Sequence, residues 1–281
     1  MSFADGHLPI LRWEPTSFRP FAALLCIIIS LQAVSAKITA KAVEYTDDHG
    51  TALEGSVFYD DSLSTKRPAV LVIHDWRGLT DTTKKRCEML AQLGYVAFAG
   101  DIYGKGVRPK SVTEYSNQAT IYKDDRQLFR ERARAAYEAL LKQPGVDTSR
   151  VAAIGYCFGG TGVIEMGRDG TPLLGVVSFH GGLDSSPLSP GKNFTAKVLV
   201  LCGADDPFES PEDMTAFEQQ LRDNHVDYQI VKYGGAEHSF TDEGVDSLNL
   251  KGAKYNPDAD RRSWKAMEDF FGEIFAPAPP S

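Results

Sequence analysis

Two kinds of apolar pattern alternate along this chain, and together they predict alternating strands and helices. Continuous apolar runs at residues 69–73 and 95–99 are typical of strands that are buried on both faces. Charged segments with helical spacing occupy residues 80–93 and 124–142. Further strands are predicted at residues 151–154, 173–179, 197–201 and 228–232, and further helices at residues 214–224 and 260–275.

This order of elements predicts an α/β fold with a mostly parallel central sheet and helices on both of its faces. No linker and no internal repeat divides residues 37–281, so we expect a single domain there. In sheets of this kind, ligands bind beyond the carboxyl ends of the strands. The residues that directly follow each strand are therefore the candidates for chemistry.

The N-terminal segment has the pattern of a secretory signal. Residues 21–36 form an uncharged, mostly apolar run that ends in Ala-Val-Ser-Ala, with small residues where a signal peptidase cleaves. The run is shorter than the ~20 residues that a membrane-spanning helix needs. We expect residues 1–36 to be a signal peptide, cleaved after Ala36 in an exported (periplasmic or secreted) protein that keeps no stable membrane partner. An uncleaved anchor is the alternative, and the acidic residues before the run leave open a start further downstream.

Charge and cysteine content narrow the function. The 281 residues carry a formal net charge of −8, which argues against a nucleic-acid partner because phosphate binding needs a concentrated basic surface. The four cysteines fit no zinc motif, and we predict neither a metal nor a cofactor. Removal of residues 1–36 would leave three cysteines, so at least one thiol must be free. Of these three, Cys87 and Cys202 are predicted to be buried as small apolar residues.

Three strand ends carry residues that can act together. The letters GYCFG at residues 155–159 have the spacing of the G-x-S-x-G nucleophile elbow, with Cys157 in place of serine. Asp205 and Asp206 follow the next strand but one, where a carboxylate can orient a histidine. His238 lies in a glycine-rich loop after the last strand, where a general base is expected.

Cys157, the aspartate pair and His238 indicate a function only when they are considered together. Taken alone, Cys157 also fits a buried residue in a tight turn, either aspartate fits an ordinary Asp-Pro turn, and His238 fits a loop residue. Their chain order of nucleophile, acid and histidine is that of the α/β-hydrolases. An elbow also places its nucleophile at a helix N-terminus, whose partial positive charge favours a thiolate. The pattern therefore predicts a hydrolase with a cysteine nucleophile.

With these residues in place, the sequence resembles the dienelactone hydrolase family of the α/β-hydrolase fold from about Val70 to Phe275. The likeness is carried by VIHDWRG at residues 72–78, GYCFGG at 155–160, FHGG at 179–182, GADDP at 203–207 and AEHSF at 236–240.

The resemblance implies a catalytic triad and an oxyanion site. It places the nucleophile on Cys157, the base on His238 and the acid on Asp206, which lies three residues after Gly203 as the family's acid does. It also implies that the backbone N–H groups of Trp76 and Phe158 form the oxyanion hole.

Three further residues concern thiol activation and substrate. Asp75 stands where the family has a glutamate that interacts with the resting cysteine. Lys105 lies near the place of one substrate-binding arginine, and Asp242 replaces another. A carboxylate in that place would repel an anionic substrate, so we expect neutral esters or lactones to be preferred.

The function predicted on this basis is hydrolysis of a small-molecule ester or lactone by a Cys-Asp-His triad, through a thioester acyl-enzyme. A thioesterase or peptidase with the same triad is an alternative. A non-catalytic exported binding protein is an alternative of another class. The sequence leaves open whether the protein is a monomer or a dimer.

Overall fold

The computed structural model describes residues 37–62, 64–184 and 194–276, so the predicted signal peptide at residues 1–36 lies outside the described part. The strands are β1 (Ile38–Thr46), β2 (Ala52–Asp60), β3 (Arg67–Ile73), β4 (Val96–Gly100), β5 (Val146–Tyr156), β6 (Gly175–Phe179), β7 (Lys197–Gly203) and β8 (Tyr228–Tyr233). The helices are α1 (Asp81–Gln92), α2 (Val112–Asp124), α3 (Arg126–Leu141), α4 (Phe158–Arg168), α5 (Pro211–Asp223) and α6 (Pro257–Ile274).

The strands form one sheet in the order β1-β2-β4-β3-β5-β6-β7-β8. The pairs β1–β2 and β2–β4 are antiparallel, and every pairing from β4 to β8 is parallel. The carboxyl ends of β3, β5, β6, β7 and β8 therefore lie along one edge of the sheet. The predicted α/β-hydrolase fold, with a mostly parallel sheet, is confirmed.

Helices cover both faces of this sheet, as predicted. Buried side chains of α1 and α6 pack in one apolar layer, and those of α2, α3, α4 and α5 pack in the other. The central strands carry continuous apolar runs where both of their faces are covered: in β3, residues 69–73 are fully buried. None of the helices in the described ranges is long and apolar enough to cross a membrane.

The structure differs from the sequence prediction in two places. The predicted helix at residues 124–142 corresponds to α3, which begins after Asp125, whose side chain accepts the Leu128 N–H at 2.9 Å as its N-cap, and the preceding helix α2 was not predicted. The strands β1 and β2 were not predicted. In β1 the residues are exposed or half-buried rather than buried, so this edge strand has no continuous apolar run.

Candidate active site

Cys157 lies on a sharp turn between β5 and α4. Its backbone has φ +53° and ψ −116°, a strained conformation for a residue with a side chain. The flanking glycines are required by space: a Cβ atom on Gly155 would lie 1.9 Å from the carbonyl oxygen of Gly159, and one on Gly159 would lie 2.2 Å from that of Ile73. The turn exposes the thiol at the sheet edge and places it at the N-terminus of α4.

The structure brings Cys157, His238 and Asp206 together. Nε2 of His238 lies 3.0 Å from Sγ of Cys157, and Nδ1 of His238 lies 2.8 Å from Oδ2 of Asp206. Asp206 follows β7, and His238 lies in the loop after β8. The Asp206 side chain is 4% exposed, whereas Asp205 is exposed and makes no contact with the histidine ring in the described structure. Three separate strand ends thus form one hydrogen-bonded chain.

Charge within this chain favours an ion pair. Burial lowers the pKa of His238, but the negative Cys157 thiolate and the hydrogen bond to Asp206 raise it to about 10. The imidazole therefore holds a proton at neutral pH when the thiol has lost one. Burial raises the pKa of the other two thiols, well above its usual value at Cys87 and to about 12 at Cys202. Burial therefore keeps Cys87 and Cys202 protonated and unreactive, whereas Cys157 has a histidine as its hydrogen-bond partner.

Two backbone donors stand beside the thiol. Trp76 follows β3 and Phe158 begins α4, and both residues line the cavity that contains Cys157. Among the described residues, no acceptor meets either N–H. The N–H of Cys157 is already engaged, since it donates to the Phe179 carbonyl oxygen at 2.9 Å and to Nδ1 of His180 at 3.2 Å.

His180 was not assigned a role from the sequence, and it lies in the cavity wall beneath the triad. Because Nδ1 accepts the Cys157 N–H, Nε2 carries the proton and donates to Oγ1 of Thr241 at 2.8 Å. Its ring contacts that of His238 edge to face, with centroids 5.4 Å apart. Burial and the positive charge of His238 hold the pKa of His180 well below its usual value. His180 is therefore neutral, and its ring packs against that of His238.

The cavity has a volume of about 620 Å³ and a mixed lining. Apolar side chains lie near the triad, among them Phe208, whose ring meets that of His238 edge to face at 5.1 Å and is 63% exposed. Glycine, hydroxyl and charged residues form the rest of the wall. The cations are Lys123, Arg126 and Lys251, and the carboxylates other than that of the triad are Asp124, Asp184 and Glu209.

Three of the predicted pocket residues, Asp75, Lys105 and Asp242, are not in the lining of the cavity. Lys105 lies 2.6 Å from the carboxylate of Glu44, which belongs to the antiparallel edge strand β1, and it is not in the cavity lining. Asp75 and Asp242 both pair with Arg77, at 2.6 and 2.7 Å. Their carboxylates turn to this buried cation because a lone buried charge is costly.

Sequence reasoning missed the three cavity cations. Lys123 lies near the end of α2, a helix that was not predicted, and Arg126 begins α3. Lys251 lies beyond the His238 loop, in a segment without a periodic pattern. Within the described ranges, no group of three or more His, Cys, Asp or Glu side chains is arranged to hold a metal ion.

Comparison with known proteins gives a consistent result. Residues 53–275 match the model of the dienelactone hydrolase family. A crystal structure of a dienelactone hydrolase-like promiscuous phosphotriesterase from metagenomic libraries is 40% identical, with a TM-score of 0.81 over 84% of this chain and 98% of that one. A probable 2-oxo-3-(5-oxofuran-2-ylidene)propanoate lactonase of Bradyrhizobium sp. is 29% identical over 208 residues, which is 70% of this chain and 80% of the relative.

A more distant likeness supports the fold alone. Esterase 2 of Thermogutta terrifontis, in a structure phosphoramylated by tabun, is 16% identical with a TM-score of 0.58 over 86% of this chain and 97% of that one.

Proposed function

This chain belongs to the dienelactone hydrolase family and is a hydrolase of carboxylic esters or lactones, and we propose that it acts through the triad Cys157, His238 and Asp206. The observation that carries the proposal is the hydrogen-bonded chain from Sγ through the imidazole to the carboxylate, with distances of 3.0 and 2.8 Å. The contacts follow the order that a nucleophile, a base and an orienting acid require.

In the proposed reaction, the Cys157 thiolate attacks the carbonyl carbon of the substrate, and the carbonyl oxygen becomes an oxyanion. The N–H groups of Trp76 and Phe158 donate to that oxyanion. The tetrahedral intermediate expels the alcohol, which takes the proton of the His238 imidazolium, and a thioester on Cys157 remains. His238 then removes a proton from water, and the resulting hydroxide hydrolyses the thioester and restores the thiol.

Mass spectrometry tests the nucleophile directly. We expect iodoacetamide near neutral pH to label Cys157 before Cys87 and Cys202, and a rapidly quenched reaction with an activated ester to carry one acyl group on Cys157. Cys157→Ala should abolish hydrolysis and keep the fold, whereas the matched variant Cys87→Ala should remain active. Activity in Cys157→Ala, or an acyl group on another residue, would refute the triad.

A second candidate reaction is the hydrolysis of phosphotriesters. It is favoured by the 40% identity to a dienelactone hydrolase-like promiscuous phosphotriesterase. A panel that pairs p-nitrophenyl esters with a p-nitrophenyl phosphotriester separates the two candidates, because the leaving group is common to both. Thioester and peptide substrates in the same panel test the remaining alternatives.

Residues 1–36 are proposed to direct export, because their pattern is that of a cleaved signal. N-terminal sequencing of the mature protein should begin at Lys37. A protein that retains residues 21–36 in a membrane fraction would favour the uncleaved anchor instead.

A further inference from the structure

A buried ion network links two loops of the active site. The Arg77 guanidinium meets the Asp75 carboxylate through Nε and Nη2, with the shortest contact at 2.6 Å, and Nη2 also lies 2.7 Å from Oδ2 of Asp242. The three side chains are only 13%, 12% and 11% exposed. None of the three residues lines the cavity, so this cation is held by protein carboxylates and not presented to substrate.

The first loop carries Trp76 on a fixed turn. The Asp75 carbonyl oxygen accepts the Gly78 N–H at 3.1 Å, which closes a β-turn with Trp76 and Arg77 at its centre. Oδ1 of Asp75 accepts the Arg77 N–H at 2.7 Å, and the Trp76 carbonyl oxygen accepts the Tyr103 hydroxyl at 2.8 Å. Every polar group around the Trp76 peptide is thus engaged, apart from its own N–H.

The second loop carries His238. Asp242 lies four residues further on, its N–H donates to the Ser239 carbonyl oxygen at 2.9 Å, and its Oδ1 accepts the Gly244 N–H at 3.0 Å. The Arg77 guanidinium is therefore bonded both to the turn that presents the Trp76 N–H and to the loop that presents His238.

The network is poorly suited to stabilising the fold alone. It holds two carboxylates against one guanidinium, and burial raises the pKa of Asp242 despite the adjacent Arg77. Burying such charges is expensive, so buried ion networks are weak evidence for stability. A guanidinium fork that meets two carboxylates does, however, restrict the geometry of everything attached to them.

We propose that Arg77 is a positioning residue for the oxyanion site: by joining Asp75 to Asp242 it fixes the Trp76 N–H relative to Cys157 and His238. The inference rests on the proposed triad mechanism. Oxyanion donors act only when they already point at the place where charge develops, and a displacement of about 1 Å can cost about 100-fold in rate.

Two reactions of the same thiol separate this role from a structural one. Ester hydrolysis develops an oxyanion and needs the Trp76 N–H. Alkylation by iodoacetamide displaces iodide at a saturated carbon, develops no oxyanion and depends only on the thiolate and its partner His238. A defect confined to the oxyanion site must therefore slow the first reaction and spare the second.

The experiment compares Arg77→Met with Arg132→Met at one pH near neutral. Arg132 is a matched control because it is also a buried arginine, paired with Asp47 at 3.2 Å, and lies outside the cavity. For Arg77→Met we expect kcat/KM for p-nitrophenyl acetate to fall by about 10- to 100-fold, mainly in kcat. The alkylation rate should change less than threefold, and Arg77→Lys should restore part of the loss. Arg132→Met should keep the wild-type ratio of the two rates.

Asp242→Asn is the second variant, needed if Arg77→Met does not fold. It keeps the pair between Arg77 and Asp75 and weakens only the link to the histidine loop, so the same selective loss should appear in a smaller amount. Equal losses in hydrolysis and alkylation, or no loss in either, would overturn the proposal. Hydrolysis by Cys157→Ala would instead refute the triad mechanism, so the two failures are distinguishable.

Discussion

Replacement of Asp206 by asparagine tests the acid of the proposed triad at its most constrained point. Both carboxylate oxygens are occupied: Oδ2 meets Nδ1 of His238 at 2.8 Å, and Oδ1 accepts the Phe208 N–H at 2.8 Å. An asparagine has one carbonyl oxygen, so one of these two donors must face an NH₂ group. The variant therefore loses both the negative charge and the acceptor pair that fixes the imidazole.

The size of the effect follows from charge and distance. The imidazolium that His238 forms when it takes the Cys157 proton lies about 4 Å from the centre of the carboxylate charge, and at an effective dielectric constant of about 20 their attraction is about 4 kcal/mol. A loss of that size in the transition state corresponds to about a thousandfold fall in kcat. The dielectric constant is appropriate because the two side chains are 15% and 4% exposed.

Asp205→Asn is the matched control, because the adjacent carboxylate is exposed and makes no contact with His238. Steady-state kinetics on a neutral p-nitrophenyl ester should show kcat reduced by about three orders of magnitude in Asp206→Asn and within about twofold of wild type in Asp205→Asn. Circular dichroism should report both variants folded. A loss that is equal in the two variants, or larger at Asp205, would show that Asp206 is not the orienting acid.

Three further predictions concern metal, pH and substrate charge. Activity should survive dialysis against EDTA, because the chain itself supplies nucleophile, base and oxyanion donors; zinc-restored loss would contradict this. Burial raises the pKa of Glu209 from 4.5 to about 7, so ionisation of this carboxyl at higher pH destabilises the fold. Glu209→Gln should therefore raise the melting temperature above pH 7 but not below pH 4.5. A gain in melting temperature that is the same at both pH values would contradict this prediction. Lys251→Glu should lower kcat/KM for an anionic ester relative to its neutral analogue, whereas Asp242→Asn should leave that ratio unchanged; the reverse pattern would place Asp242 at the substrate.

The sheet was predictable because each of its central strands contains a short continuous apolar run. Residues 69–73 need no partner to be recognised as a strand, because the run is too short for a helix and is rich in β-branched residues. The strand β1 is recognisable only from its pairing with β2, which the local pattern does not contain. The boundary between α2 and α3 depends on one residue, Asp125, whose capping hydrogen bond competes with a continuous helix.

The contact among Cys157, His238 and Asp206 was predictable for a different reason. In a parallel sheet the carboxyl ends of the strands share one edge, so residues far apart in sequence meet when each follows its own strand. Cys157 and His238 are 81 residues apart, and His238 and Asp206 are 32 apart, yet each pair is within 3.0 Å. The order of the strands in the sheet brings these residues together, so the prediction needed only the residue that follows each strand.

Side chains beyond the triad followed no such rule, and Asp242 shows why. Its position four residues after His238 suggested a charge directed at substrate, but a loop fixes the backbone and leaves the side chain to the nearest favourable partner. A buried carboxylate turns to a cation when one is within reach, and Arg77 lies 2.7 Å away. Arg77 lies in the loop after β3, 165 residues before Asp242 in the sequence. The same pairing removes Asp75 from the thiol. The charge that the substrate meets is therefore set by the charged residues of the cavity wall, the cations Lys123, Arg126 and Lys251 and the carboxylates Asp124, Asp184 and Glu209. Asp75 and Asp242 act on the reaction only through the backbone that they hold in place.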